Sequence, residues 1–338
     1  MHTTPFKPPV LLRNGHLQSV LNGSRLRNKL VRERIQFVKN TESIHLIDCD
    51  QDTRLIGALN RAPNNRPIKN FGTQPMNRGL VVLLHGWEGS FESIYMMTAT
   101  SALLNAGFDV FRLNLRDHGP TLHLNKELFN ATLTQEITNA ISVIKNLCSP
   151  TACFLAGYSL GGNFALRIAA DSGTELDLTA TMGICSPINP ARTMAILEKP
   201  RSIYHTYFFN KWRASLQSKL AYFPDLNYGA LLKQCKNLAD INRFFIPGHT
   251  PCSNPEEYFG AYSLTSDRLA ELRVPALLLT SRDDPIIPAV DLAAIKIPPP
   301  LQVELVDYGG HCGFLENYRL ESWAEQRMVS YFLGQLTQ

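Results

Sequence analysis

The sequence lacks the features that mark membrane-spanning and secreted proteins. No apolar run approaches the roughly 20 residues needed to cross a bilayer, and the N-terminus has no charged start followed by an apolar run, as a secretory signal would. Seven cysteines, an odd number without C-x-x-C spacing, do not suit a disulfide framework. We therefore expect a cytoplasmic protein whose thiols stay reduced.

Motifs for the common cofactors and metals are also missing. The chain contains no H-E-x-x-H, no G-x-x-x-x-G-K phosphate loop and no G-x-G-x-x-G after the first parallel strand. His249, Cys252 and Glu256 lie close together in the sequence, but no second pair of ligands accompanies them, which disfavours a metal site. We expect neither a cofactor nor a metal.

Net charge is too small to favour nucleic acid as a partner. The 338 residues carry a net charge of +4, and 44% of them are hydrophobic, which is typical of a globular protein with a sizeable core. Positive charge is concentrated in one N-terminal stretch, at Arg25, Arg27, Lys29, Arg32 and Arg34. Such a run is most often a solvated face, and peripheral contact with an anionic membrane surface is the alternative.

The first 60 residues combine a proline-rich arm with short runs of alternating apolar and polar residues. These runs lie at 34–38, 43–49 and 53–60. Alternation of this kind favours antiparallel strands with one solvated face. We predict that residues 1–60 form an N-terminal arm and antiparallel strands.

From residue 79 onward, continuous apolar runs such as GLVVLLHG alternate with helical segments. This alternation is typical of a doubly wound, mostly parallel sheet whose strands are buried on both faces. It stops over 187–272, where helical periodicity and many aromatic residues replace it, and then resumes. We predict a single α/β domain over 1–338 that carries a helical lid insertion over 187–272.

A serine between glycines stands where a buried strand ends and a helix begins, in the segment Gly157-Tyr158-Ser159-Leu160-Gly161. The spacing matches G-x-S-x-G, a sharp turn that holds a nucleophilic serine clear of the backbone. Side chains at the two glycines would collide with neighbouring elements. The helix N-terminus also favours negative charge beside the serine. The sequence therefore predicts that Ser159 is a nucleophile.

A nucleophilic serine needs a histidine base, and the base needs an orienting acid. In chains that carry this serine turn, the acid comes later in the sequence, after another strand, and the histidine comes after the last strand. Asp283 and Asp284 follow the strand that resumes the sheet, and His311 follows the last strand. Asp284 is favoured because a proline directly after it stiffens the turn, although Asp283 stays open. Ser159, Asp284 and His311 are the predicted triad.

Two further histidines follow strands and are rival bases. His85 lies in LLHGWEGS, the loop that supplies a backbone N–H to the oxyanion hole in this arrangement, so it suits bracing of that loop. We predict that the N–H groups of Trp87 and Leu160 are the oxyanion donors. His118, in the segment RDHG, suits a hydrogen-bonded turn and a place in the site equally well.

With HGWEGS, GYSLGGN, DDPIIP and GGHCGF in this order, the chain resembles the α/β-hydrolases. The segments PFKPPVLLRNGHLQSV, LNLRDHG and EEYFGAYS resemble, more narrowly, the YheT/EMB8-like branch, which includes the ABHD1- and ABHD3-like proteins. The resemblance covers nearly the whole chain. It implies the α/β-hydrolase fold and a carboxylic-ester hydrolase with Ser159, Asp284 and His311 as its triad.

We therefore expect a serine esterase that acts on small ester or lipid-like substrates with short to medium acyl chains, through an acyl-enzyme on Ser159. Aromatic residues of the insertion favour an apolar acyl pocket, while packing of the insertion onto the domain is the alternative for each of them. Two other functions stay open. The same triad can transfer the acyl group to an alcohol or amine, and the fold can serve as a non-catalytic binding module.

Overall fold

The computed structural model describes residues 6–63, 77–199 and 202–336. Its strands are β1 (Glu42–Asp48), β2 (Arg54–Asn60), β3 (Leu80–Leu84), β4 (Asp109–Leu113), β5 (Cys153–Tyr158), β6 (Ala180–Ile184), β7 (Ala276–Ser281) and β8 (Leu301–Val306). They form one sheet in the order β1-β2-β4-β3-β5-β6-β7-β8. β2 is antiparallel to both of its neighbours, and the other neighbouring pairs are parallel.

Helices precede the sheet, cover both of its faces and form the insertion. They are α1 (Gly15–Asn22), α2 (Arg25–Leu30), α3 (Arg32–Thr41), α4 (Ile94–Asn105), α5 (Thr134–Cys148), α6 (Leu160–Ser172), α7 (Pro190–Leu197), α8 (Ile203–Tyr222), α9 (Gly229–Gln234), α10 (Leu238–His249), α11 (Pro255–Ala261) and α12 (Trp323–Gln335). Across the described ranges, none of the helices has the length and apolar character needed to cross a membrane.

The central strands are buried from end to end, which explains their continuous apolar sequences. In β3, Leu80, Val82 and Leu84 belong to one hydrophobic core, and Val81 and Leu83 belong to the core on the opposite face. Alternate residues of a strand point to opposite faces, so a strand with two buried faces needs apolar residues throughout. The loops that follow the central strands therefore begin at fixed positions on a densely packed sheet.

The predicted strand at 34–38 is wrong, because these residues lie in α3. Val31, Ile35 and Val38 recur at helical spacing, and Val31 and Val38 are buried. A run of five alternating residues fits a helix as well as a strand, and packing against α4 selects the helix. The other two strands predicted in this region are β1 and β2, which pair antiparallel.

The basic N-terminal stretch is not a solvated face throughout, which corrects the expectation for two of its residues. Arg27 is fully buried, and its guanidinium contacts Glu325 of α12 at 2.8 Å. Arg34 contacts the other oxygen of Glu325 at 2.6 Å. The remaining members, Arg25, Lys29 and Arg32, are exposed. The buried cluster Arg27–Glu325–Arg34 thus attaches the N-terminal helices to the last helix of the domain.

Helices α7 to α11 lie between β6 and β7, in the region predicted as an insertion; residues 200 and 201 of that region are outside the described residues. Polar contacts hold α8 over the ends of β3 and β4. Lys211 Nζ donates to the Glu88 carbonyl at 2.7 Å, and Ser215 Oγ donates to the Glu88 carboxylate at 2.8 Å. Lys219 pairs with Asp117 at 2.6 Å. Helix α8 of the insertion therefore lies over the loops that follow β3 and β4.

We expect Glu325→Gln to lower the free energy of unfolding by about 3–5 kcal/mol, because removing one partner of a buried ion pair leaves the Arg27 charge uncompensated. Denaturant unfolding followed by circular dichroism measures the change. The matched control is Glu271→Gln, which removes an exposed pair with Arg273 and should cost less than about 1 kcal/mol. Equal stability of the two variants would contradict the assigned role of the cluster.

Candidate active site

Ser159 lies at the sharp turn between β5 and α6. Its backbone has φ +52° and ψ −120°, a conformation that residues with a β-carbon rarely adopt. A β-carbon at Gly157 would lie 2.1 Å from the Gly161 carbonyl oxygen, and one at Gly161 would lie 2.4 Å from the His85 carbonyl oxygen. Both glycines are therefore required by close backbone approach, and the turn presents the serine hydroxyl above the sheet.

Three loops that are distant in sequence bring Ser159, His311 and Asp284 into one hydrogen-bonded chain. His311 Nε2 lies 2.9 Å from Ser159 Oγ, and His311 Nδ1 lies 2.9 Å from Asp284 Oδ2. The other Asp284 oxygen accepts the N–H groups of Ile286 and Ile287. Since a carboxylate only accepts, Nδ1 carries the proton, and Nε2 is left to accept the hydroxyl proton of Ser159.

Asp283, the alternative acid, faces the backbone of the histidine loop and not the imidazole. Its Oδ1 accepts the N–H of Gly310 at 2.8 Å. Burial raises the pKa of its carboxyl group. Of the adjacent aspartates, Asp284 thus orients the imidazole directly, and Asp283 holds the loop that carries it.

Two buried thiols lie beside His311, and no sequence motif revealed them. Cys185 Sγ accepts the N–H of Cys312 at 3.3 Å. Ligand atoms of Cys185, His311 and Cys312 all lie within 4.8 Å of one another, the one group of three potential metal ligands in the described ranges; the residues around His249 do not form one. Because both imidazole nitrogens already bond Asp284 and Ser159, a cation there would displace one of these contacts.

The surroundings of His311 raise its pKa well above the ordinary value of 6.5. Burial opposes the charged imidazolium, but the charges of Cys312 and Asp284, and hydrogen bonds to both, outweigh it. Burial acts to raise the pKa of Cys312, but a hydrogen bond from Cys185 and the charge of His311 outweigh it and lower the pKa to about 6. The negative charges of Cys312 and Asp284 therefore favour the cationic form that His311 takes when Nε2 accepts a proton.

The predicted oxyanion donors flank the serine. Leu160 is the first residue of α6, so its N–H has no carbonyl acceptor one turn earlier in the helix. Trp87 follows β3 in a loop that is braced by a hydrogen bond from the Gly86 N–H to Tyr95 Oη at 3.0 Å. Trp87, Leu160 and Ser159 line the same cavity. The position of both residues agrees with the predicted role, which stays a prediction.

The rival bases His85 and His118 are both buried, and their rings are hydrogen-bonded to backbone groups. His85 Nε2 accepts the N–H of Leu115 at 3.1 Å, so Nδ1 carries the proton and donates to the Gly86 carbonyl at 2.8 Å. Burial and the neighbouring His118 hold the pKa of His85 well below 6.5. Burial also lowers the pKa of His118 to about 4. Both rings therefore stay neutral, and His85 braces its loop.

Two cavities meet at Ser159 and His311. The first, which we call the narrow cavity, has a volume of about 80 Å³ and passes among apolar residues that include Leu197, Trp212 and Phe245. The second, the wide cavity, has a volume of about 560 Å³ and lies between α1 and α8, where its lining includes Ser19, Val20, Ile203 and Lys211. Ser159 and His311 therefore border two separate cavities.

The aromatic residues of the insertion fill both predicted roles, pocket lining and packing. Phe208 and Trp212 line the narrow cavity, where Phe208 stacks on Trp87 with ring centroids 5.0 Å apart. Tyr228, by contrast, is buried in the core of the insertion. Pocket lining and packing thus both occur, and Trp212, which also belongs to the buried core, does both.

Comparison with known proteins identifies the family to which this chain belongs. The alpha/beta hydrolase family model matches residues 81–321, so the chain belongs to the alpha/beta hydrolase family. It is similar to the YheT protein of Escherichia coli (strain K12), with 23% identity covering 96% of this chain and 92% of that protein. The chain lies in the YheT/ABHD-like branch of the family, and this confirms the branch predicted from the sequence.

Two further relatives carry names that describe an activity. Medium-chain fatty acid ethyl ester synthase/esterase 2 of Saccharomyces cerevisiae is 22% identical over 88% of this chain and 72% of its own length. Phospholipase ABHD3 of Homo sapiens is 25% identical over 71% of this chain, which spans 59% of that protein. Both matches are distant, so these activities belong to the relatives.

Solved structures confirm the predicted fold. Est1E of Butyrivibrio proteoclasticus with bound ferulic acid superposes with a TM-score of 0.58 at 17% identity, over 87% of this chain and 100% of the other. The Pyrococcus furiosus esterase Pf2001 superposes with a TM-score of 0.55 at 13% identity, over 88% of this chain and 91% of the other. At these identities the likeness concerns the fold alone.

We expect the His311 imidazole to titrate above pH 6.5 and Cys312→Ser to move its pKa downward, because Cys312 is one of the groups that raise it. A raised pKa keeps the ring protonated to higher pH, so an unprotonated Nε2 predominates only above the shifted value. NMR titration of the histidine ring protons measures both values. Cys153→Ser, at the far end of β5, is the control. An unchanged His311 titration in Cys312→Ser would contradict this coupling.

Proposed function

We propose that this chain is a serine hydrolase that cleaves carboxylic esters with short to medium acyl chains through an acyl-enzyme on Ser159. The observation that carries the proposal is the hydrogen-bonded chain from Asp284 through His311 to Ser159, with 2.9 Å at each link between side chains. The broader class, a carboxylesterase-type hydrolase, follows from the family and from relatives named esterase and phospholipase.

In the first half of the proposed reaction, His311 Nε2 takes the hydroxyl proton as Ser159 Oγ attacks the ester carbonyl carbon. The electron pair of the carbonyl double bond moves onto its oxygen, where the N–H groups of Trp87 and Leu160 stabilise the negative charge. The bond to the alcohol then breaks, and His311 returns its proton to the leaving oxygen. Asp284 keeps the ring oriented and stabilises its cationic form.

In the second half, water takes the place of the alcohol. His311 removes a proton from the water as its oxygen attacks the acyl carbon, and the same oxyanion donors act again. The bond to Ser159 Oγ breaks, the proton passes from His311 to Oγ, and the carboxylic acid leaves. Apart from the ester and the water, each proposed step uses only groups of the chain itself.

The two cavities support an assignment of the two parts of the ester. The leaving oxygen must lie near His311 Nε2 to receive its proton, and the wide cavity is the one whose lining also includes Ser19 and Cys312 beside His311. The narrow cavity is lined by Leu160 and apolar side chains of the insertion. We therefore assign the acyl chain to the narrow cavity and a bulky alcohol, such as a glycerol-based one, to the wide cavity.

Acyl transfer to an alcohol is the second candidate, because one relative is named as both synthase and esterase. The wide cavity has room for an alcohol where hydrolysis uses water. The two reactions share the acyl-enzyme and differ only in the acceptor. Product analysis with and without an added alcohol separates them.

We expect Ser159→Ala to lower the turnover of p-nitrophenyl esters by at least roughly 10⁴-fold, because no nucleophile remains to form the acyl-enzyme. A fluorophosphonate probe should label the wild type and not the variant. Ser172→Ala, at the other end of α6, is the matched control and should retain both properties. Wild-type turnover by Ser159→Ala would refute the proposed mechanism.

The cavity assignment is tested by Ile203→Trp, which fills part of the wide cavity. We expect kcat/KM to fall about 10-fold or more for esters of a bulky alcohol and to stay unchanged for methyl esters of the same acid, because only the bulky leaving group needs that space. Val290→Trp, an equally exposed position away from the cavity, is the control. Equal losses for both kinds of ester would contradict the assignment.

A further inference from the structure

We propose that helix α1 is a positioning element for His311 and that Ser19 is its central residue. The inference rests on the proposed function only in treating His311 as the base. It accounts for the N-terminal segment NGHLQS, which the mechanism above does not use. The geometry that carries it is a set of hydrogen bonds between α1 and the loop of residues 309–315, nearly 300 positions later in the chain.

Three polar residues on one side of α1, at positions 18, 19 and 22, bond the backbone of this loop. Ser19 Oγ accepts the N–H of His311 itself, at 2.7 Å. Asn22 Nδ2 donates to the Cys312 carbonyl at 2.9 Å. Gln18, which is fully buried, accepts the N–H of Leu315 at 2.6 Å and donates to its carbonyl at 3.1 Å. The residue proposed as the base thus has its own backbone held by α1.

The loop needs such external support because its backbone is irregular. Gly310, Cys312 and Phe314 all have φ between +46° and +62°, a region that residues with a β-carbon seldom occupy. Such conformations persist only where surrounding contacts hold them. Buried backbone groups also require partners, and α1 provides those of residues 311, 312 and 315.

Backbone contact brings α1 against the loops of both the acid and the base. A β-carbon at Gly15 would lie 1.9 Å from the Asp283 carbonyl oxygen, and one at Gly310 would lie 2.2 Å from the Gly15 carbonyl oxygen. The glycine of NGHLQS is therefore explained by close approach. Asn14 caps the helix by accepting the N–H of Leu17 at 3.0 Å.

The hydroxyl of Ser19 has a fixed orientation, which suits it for positioning. It donates its proton to the Gly15 carbonyl at 2.6 Å, so its oxygen is left to accept from the His311 N–H. An alanine would leave that N–H without its acceptor at a partly buried site. The expected result is a histidine loop that samples positions in which Nε2 and Oγ are no longer in hydrogen-bond contact.

The test is Ser19→Ala, with a readout that does not depend on any substrate. In the wild type, the Nδ1 proton of His311 should give a low-field ¹H NMR signal because it is held against Asp284. We expect the signal to broaden or disappear in Ser19→Ala and to return in Ser19→Thr, which keeps the hydroxyl. Where ester turnover is measured, kcat should fall roughly 10- to 100-fold with KM little changed, as expected for small misplacement of a reacting group.

Two variants separate positioning from a general loss of stability. Ser24→Ala removes the N-cap of α2, which accepts the N–H of Arg27, and it should lower stability without changing the His311 signal. Asn22→Asp keeps the acceptor for Arg27 but loses the donor to the Cys312 carbonyl, so it should weaken the signal as Ser19→Ala does. The two positions are two residues apart in the chain, but Asn22 hydrogen-bonds the loop, whereas the Ser24 side chain bonds the N–H of Arg27.

The outcomes distinguish this inference from the proposed function. A wild-type His311 signal in both Ser19→Ala and Asn22→Asp would overturn the positioning role, whatever the enzyme hydrolyses. An equal effect of Ser24→Ala would also overturn it, because stability alone would then explain the change. Absence of ester turnover in the wild type would refute the proposed function, while the NMR comparison would still decide the role of α1.

Discussion

The imidazole of His311 can bond Ser159 and Asp284 at once only because three loops meet at the carboxyl edge of one sheet. Each contact spans 2.9 Å, and a shift of about 1 Å in any loop would break one of them. The serine and the acid follow β5 and β7, which are fully buried, so the ends of these strands cannot move independently within a packed core, and the loop of His311 after β8 is held by α1. Close glycine contacts at Gly157 and Gly161 then hold the serine turn in place.

Elements outside the parallel sheet complete the site. The N-terminal helices are fastened to α12 through the buried cluster Arg27–Glu325–Arg34, and this places α1 against the loop of His311. On the other side, α8 is held over the strand ends by Lys211 and Lys219. The wide cavity lies between α1 and α8. The same contacts that stabilise the fold thus also define the space beside Ser159.

Much of the architecture can be predicted from local patterns. Continuous apolar runs indicate strands buried on both faces, and the turn after β5 is recognisable because glycine is required at fixed positions around Ser159. The candidate triad follows from chain order, and the choice of Asp284 from the proline after it. The helix at 32–41 could not be predicted in this way, because RIQFV fits the periodicity of a helix as well as that of a strand. Its packing on α4 selects the helix.

Local sequence therefore specifies the strands, the serine turn and the order of the candidate acid and base, since each depends on residues within a few positions of one another. Contacts between distant segments depend on the folded chain. In the sequence, Arg27 cannot be distinguished from the exposed basic residues around it, and its burial depends on the packing of Glu325 beside it. Cys185 approaches Cys312, and Ser19 approaches His311, only because β6, α1 and the last loop converge. No periodicity or spacing encodes such pairs, because hydrogen bonds and ion pairs form between neighbours in space.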